Sequence, residues 1–270
     1  MTTKKLPTYF ISHGGGPWPW LKKEMPYFDK LEASLISIAK EVGRPKAILM
    51  ISGHWEEESF TLMANPNPPM LYDYGGFPEH TYHVKYPAPG DLELVARTKA
   101  LIEGAGFPME LDQSRGFDHG TFVPLVIMYP EADVPVVQLS LKKNYDPETH
   151  YQLGKALAPL REEGILIIGS GLSYHNLREF GRGEAANIAS KQFDVWLGKT
   201  LIDLPKEERH QHLLEWTKAP SARAAHPYED HLIPLHVVVG AAENEKGVMI
   251  YHEEGLMHGM TVSSFRFGEV

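Results

Sequence analysis

The chain has 270 residues, 43% of them hydrophobic, enough to bury the core of one large α/β domain. Acidic residues outnumber basic ones by 35 to 26, a formal net charge of −9 with no Lys/Arg run, so nucleic acid and anionic membrane surfaces are not expected partners and a small molecule is. The absence of cysteine rules out disulfides, thiolate ligands and a cysteine nucleophile.

The N-terminal Met1-Thr-Thr-Lys-Lys-Leu-Pro has no apolar core of a signal peptide, and no run approaches the length of a membrane span, so the expected location is the cytoplasm. Thr8-Tyr-Phe-Ile-Ser reads as a buried strand running into His13-Gly-Gly-Gly-Pro17. Leu31, Leu35, Ile38 and Val42 recur at helical spacing and predict a crossover helix over residues 27–42. It leads to a second strand, Ala47-Ile-Leu-Met-Ile-Ser-Gly, followed by His54-Trp55. Residues 60–64 read as an edge strand. Residues 65–90 form a long polar and aromatic loop, a length uncommon without a function. A helix over 91–103, capped by Asp91 and stopped by Gly104, precedes a loop and helix at 116–125 that carry His119. Residues 135–139 read as another buried strand, and 147–163 as a helix that Pro159 must end or kink early. Residues 165–168 predict a strand buried on both faces, ending in the small-residue loop Gly169-Ser-Gly171 that delivers His175. Two further helices fall at 184–201 and 207–216. Pro234 fixes a helix start close to His231, and 263–267 reads as a closing edge strand. The alternation of strands and helices predicts an α/β fold: one three-layer αβα domain, residues 1–270, around a central mixed or mostly parallel sheet.

Histidine is the conspicuous residue, 14 in all. His13, His54 and His175 each follow a buried strand and a small residue, so if those strands are neighbours the imidazoles meet outside their carboxyl ends, where open α/β sheets bind ligands. Their spacing is too wide for a local metal motif, which leaves two readings at this point, hydrogen-bonded structural histidines or a shared metal site. Gly14-Gly-Gly16 is no phosphate loop, since no Gly-Lys-Ser/Thr follows and Pro17 lacks an N–H. Ser170 and Ser173 lack a Gly-x-Ser-x-Gly context. Tyr72, Tyr74, Phe77, Tyr82 and Tyr86 either pack the long loop down or wall an aromatic pocket.

Seven segments in order, Phe10-Ile-Ser-His13-Gly, Ser52-Gly-His54-Trp55, Tyr72-Asp-Tyr-Gly-Gly-Phe-Pro78, Tyr86-Pro-Ala-Pro-Gly90, Gly116-Phe-Asp-His119-Gly, residues 164–177 and residues 226–240, resemble the class III extradiol ring-cleavage dioxygenases, within them the 4,5-DOPA extradiol branch. The resemblance implies a mononuclear non-haem metal, Fe(II) with Zn(II) as the second choice, held by His13, His54 and His231. It implies His175 as general base, with a conditional place as fourth ligand in a resting zinc form, and His119 as a residue that orients the substrate or donates a proton. Tyr74, His119 and Trp55 are the expected substrate contacts, and the expected reaction is cleavage of a DOPA-like or related catechol by O2. Two competing readings are a zinc-dependent hydrolase and a non-catalytic metal-binding protein of the Memo type. The sequence leaves the oligomeric state open.

Overall fold

The apolar runs form the middle of a sheet. In the computed structural model, which describes residues 4–179 and 183–270 (His258 by its backbone alone), the strands are β1 (Thr8–Ser12), β2 (Ala47–Glu57), β3 (Phe60–Met63), β4 (Met109–Asp112), β5 (Val136–Lys142), β6 (Ile165–Gly171), β7 (Gly247–Gly255) and β8 (Met260–Phe267). Residues 1–3 of the N-terminal segment read above lie outside the described residues. The strands lie in the order β4-β3-β5-β2-β6-β1-β8-β7. The central four, β5-β2-β6-β1, are mutually parallel, whereas β8 runs antiparallel to β1 and to β7, and β3 antiparallel to β5. The sheet is therefore mixed. Ile48 to Ile51 of β2 and Leu166 to Ile168 of β6 are fully buried, which is why these strands read as unbroken apolar runs instead of alternating ones.

The helices are α1 (Asp29–Val42), α2 (Leu92–Gly104), α3 (His119–Met128), α4 (Pro147–Leu157), α5 (Glu184–Gly198), α6 (Lys206–Leu214), α7 (Ala222–Ala225), α8 (Ile233–Ala241) and α9 (Leu256–Gly259). Asp91 caps α2 as its sequence predicts, accepting from the N–H groups of Glu93 and Leu94. Pro159 does end α4, whose chain continues from Ala158 to Glu163 as a 3-10 turn. Every residue of α8 is buried, and the helix packs across β6, β1 and β2. Among the described residues no helix is long and apolar enough to cross a membrane.

Three sequence expectations are corrected. The strands at 60–64 and 263–267 are internal, because β4 lies outside β3 and β7 outside β8. Of the outer strands, β4 is short, half-solvated and without an apolar run, while β7 has only a short one, Val248-Met-Ile-Tyr251, in a strand that is otherwise polar or glycine and mostly solvated. Third, the strand beginning at Ile165 does not stop at Ile168, and Gly169-Ser-Gly171 belongs to it. The glycines serve close approach: a Cβ on Gly171 would lie 2.1 Å from the carbonyl oxygen of His231, and the next N–H, of Leu172, donates to that same oxygen at 3.1 Å. The bare strand thus lets the turn before α8 press onto the sheet and presents His231. Gly171→Ala is expected to cost about 1–3 kcal/mol by overpacking, read in a denaturant titration, and to displace His231 as well.

Candidate metal centre and substrate cavity

Strand adjacency brings the histidines together. Ser12 of β1 is level with Gly171 of β6, and Ser52 of β2 with Ser170, so His13, just past β1, and His54, within β2, lie at the same level on the two strands that flank β6. His119 opens α3, which is capped by the Asp118 carboxylate accepting from the Thr121 N–H. That carboxylate is fully buried and also accepts from Ser52 Oγ (2.8 Å), Arg115 Nη2 (3.0 Å) and the Gln138 amide, which ties α3 to the strand carrying His54. His231 lies in the turn two residues before α8, and His175 follows β6, its N–H donating to the Ala225 carbonyl.

The ring nitrogens converge. His54 Nε2 is 3.3 Å from His13 Nε2 and 3.1 Å from His231 Nε2. A carboxylate only accepts hydrogen bonds, so a ring nitrogen facing one carries the proton. His231 Nδ1 faces Asp230 Oδ2 at 2.8 Å, and His54 Nδ1 faces Asp73 Oδ2 at 3.4 Å. Their Nε2 atoms therefore turn lone pairs toward each other with no proton between. Burial and the neighbouring imidazoles push His13, His54 and His231 well below the usual histidine pKa, so all three stay neutral at pH 7. Neutral, inward-facing lone pairs repel one another unless a cation sits among them, and ligands about 2.1 Å from a divalent metal are separated by roughly 3.0–3.4 Å, the spacing found here. The donor set fits a metal.

Distance alone also groups His119 with His13 and His54, and His175 with Asp230 and His231, each within 4.8 Å. His119 is held from behind: its Nδ1 (2.8 Å) and its backbone N–H (2.9 Å) both donate to Asp73 Oδ1. His175 stacks flat on His231, with ring centroids 3.4 Å apart and 15° between planes.

Beside the five histidines is a cavity of about 350 Å³. Tyr74 and Phe77 reach it, as the long loop's composition suggested, and the Tyr74 ring meets His119 at 5.7 Å while its hydroxyl donates to the Thr81 carbonyl. Tyr72 and Tyr86 spend their hydroxyls on backbone carbonyls within the packing, at Val84 and Tyr129. Trp55 is a correction: it does not line the cavity. Neighbouring residues of a strand face opposite ways, and Trp55 is buried beneath the Arg115 guanidinium, 4.5 Å from its ring, with Nε1 donating to Glu57.

Asp73 and Asp230 escaped the sequence reading, although each is adjacent in sequence to a residue singled out there. Carboxylates behind ligating imidazoles fix tautomer and orientation, and their loss usually costs 10–100-fold in metal affinity or activity. Asp73→Asn is expected to fall in that range, measured as metal affinity and kcat, with little change in thermal stability.

The family profile for the catalytic LigB subunit of aromatic ring-opening dioxygenase matches residues 8–268. The chain is 42% identical over 267 residues to a 4,5-DOPA dioxygenase extradiol of Beta vulgaris, with 96% of each chain covered. It is 35% identical to the dioxygenase tasH of Hapsidospora irregularis, covering 97% of this chain and 85% of that one. Its fold matches the crystal structure of an uncharacterized protein of Escherichia coli K12 with a TM-score of 0.76 at 27% identity, over 97% of this chain and 100% of the other.

Proposed function

Since the chain belongs to the LigB family of aromatic ring-opening dioxygenases and is an extradiol ring-cleavage enzyme, we propose that its substrate is a catechol and that residues 1–270 act as one catalytic domain. The observation that carries the reading is the convergence of neutral imidazole nitrogens beside a cavity of about 350 Å³.

His13, His54 and His231 are the ligands in this reading, preferred over a set containing His119 because His54 Nε2 lies 3.3 and 3.1 Å from the Nε2 atoms of the other two. Iron(II) held there would acidify the catechol hydroxyls and pass electrons between the ring and O2; zinc would supply only the acidity. With three neutral ligands the cation's 2+ charge is uncompensated, so a catecholate is attracted to it. His175 takes the second catechol proton, since burial lowers its pKa and leaves it neutral and able to accept. His119, backed by Asp73, orients the bound diol or returns a proton, and Tyr74 with Phe77 holds the ring. In the overall reaction one ring carbon–carbon bond beside the diol breaks and both atoms of O2 enter the product, leaving a carboxylate at one end and an aldehyde at the other. The four-electron reduction of O2 balances the four-electron oxidation of the ring. A cysteine-free enzyme of this kind suits a reducing, cytoplasmic setting.

The test is an oxygen-electrode assay of iron(II)-loaded protein with a panel of catechols. One O2 consumed per catechol, with a yellow semialdehyde, is the expected result. No uptake with any catechol, from protein shown to contain iron, would count against the reading.

A further inference from the structure

We propose that the catechol for which this cavity is shaped bears a neutral, apolar substituent instead of a carboxylate-bearing side chain. The inference rests on the ring-cleavage reading above and narrows its substrate.

Away from the histidines, Asp73, two tyrosines and the Gly14–Gly16 backbone, the cavity wall is hydrocarbon and thioether. Phe28 comes from the segment before α1, Leu172 from just past β6, Met257 from the short α9 that makes the turn between β7 and β8, and Met260 and Val262 from the start of β8. Topology puts that turn there: β8 is antiparallel to β1, Phe10 pairing with Phe265, so the first residues of β8 lie beyond the carboxyl end of β1, beside the His13 loop. Met260 and Val262, two apart on one strand, share a face. Phe28, Leu172, Met260 and Val262 are each at most 5% exposed, so a substituent lying against them leaves water behind.

Among the described residues lining the cavity there is no Lys or Arg, and Asp73 is the only carboxylate. Asp73 is already occupied by the two N–H groups of His119. A substituent carboxylate would shed its water, find no lysine or arginine among the described lining residues, and face this negative charge, whereas sites built for carboxylates present an arginine fork. A buried methylene, by contrast, gains about fourfold in binding. At about 350 Å³ the space is at the small end of ligand pockets, enough for a catechol ring and a short chain.

Iron(II)-loaded protein should be assayed by O2 uptake with catechol, 4-methyl-, 4-ethyl- and 4-propylcatechol, and with 3-(3,4-dihydroxyphenyl)propionate and 3,4-dihydroxyphenylalanine. The expected result is a kcat/KM that rises about two- to fourfold per added methylene, with both carboxylated compounds at least tenfold below 4-propylcatechol. Cleavage of the whole panel with the carboxylated compounds equal or better would overturn this inference and leave the ring-cleavage reading standing. Cleavage of none would overturn both. A charge swap is the second measurement: Met257→Lys should raise the propionate/propylcatechol ratio of kcat/KM about tenfold over Met257→Gln. Equal ratios in the two variants would count against a cavity limited by its missing cation.

Discussion

His231→Ala is expected to abolish stoichiometric metal binding and ring cleavage together while the sheet stays folded. The backbone at this position does the structural work, through the His231 carbonyl against Gly171 and Leu172, and alanine keeps it. What is lost is one of three imidazoles facing a common point, and two neutral ligands hold a divalent metal poorly against water. Metal analysis should find iron in the wild type and little in the variant. Thermal unfolding gives an independent readout: a ligand at a hundred times its Kd stabilises by about 2.7 kcal/mol, so iron(II) should raise the wild-type Tm and leave that of the variant unmoved. Full occupancy in His231→Ala would remove this residue from the site. Asp230, whose Oδ1 is buried without a hydrogen-bond partner among the described residues, would then be the first candidate to replace it.

The junction that delivers His13 was legible because a parallel strand covered on both faces must be apolar at every position, so its end is visible wherever small and polar residues take over. His54 was expected past a strand end in the same way, but β2 continues through it, with a register shift, to Glu57. That β1, β6 and β2 are neighbours was not legible, because pairing between residues 8–12, 165–171 and 47–57 depends on long-range packing that no local pattern records. The outer strand β4 was missed for the converse reason, as a half-solvated strand needs few apolar residues, and β7 because its apolar run, Val248 to Tyr251, covers less than half of a strand that is otherwise polar or glycine. His231 was located by Pro234 and by family resemblance, while the reason it reaches the metal point, two glycines in β6 that admit the His231 carbonyl and the first turn of α8, shows only in three dimensions. Trp55 was placed in the cavity by its position next to His54, and strand alternation turns it away. Asp73 and Asp230 are two of 35 acidic residues, and nothing but proximity to an imidazole sets them apart.

His175→Gln is expected to keep near-stoichiometric iron(II) yet lose on the order of 10²–10⁴-fold in kcat, the usual contribution of a positioned general base. The flat stack on His231 places the His175 ring against the side of a ligand imidazole, an arrangement suited to meeting a substrate bound at the metal point. Burial lowers its pKa, the Asp230 carboxylate pulls it up, and His119 lowers it again, the net direction being down from 6.5. A base must be neutral to act, so activity is present at pH 7 and is lost as pH falls through that lowered pKa. The acid limb of the wild-type kcat/KM profile therefore lies below pH 6.5 and should disappear from the residual activity of His175→Gln. Asp230 explains how the acquired proton is tolerated: its unpartnered Oδ1 is 3.9 Å from His175 Nδ1, too far for a hydrogen bond and close enough that a small rotation makes one once the ring is charged. Metal analysis at each pH separates this titration from protonation of the ligands. An unchanged kcat would end the assignment of His175 as base, and loss of iron together with activity would make it a fourth ligand, as a four-coordinate zinc form would use it.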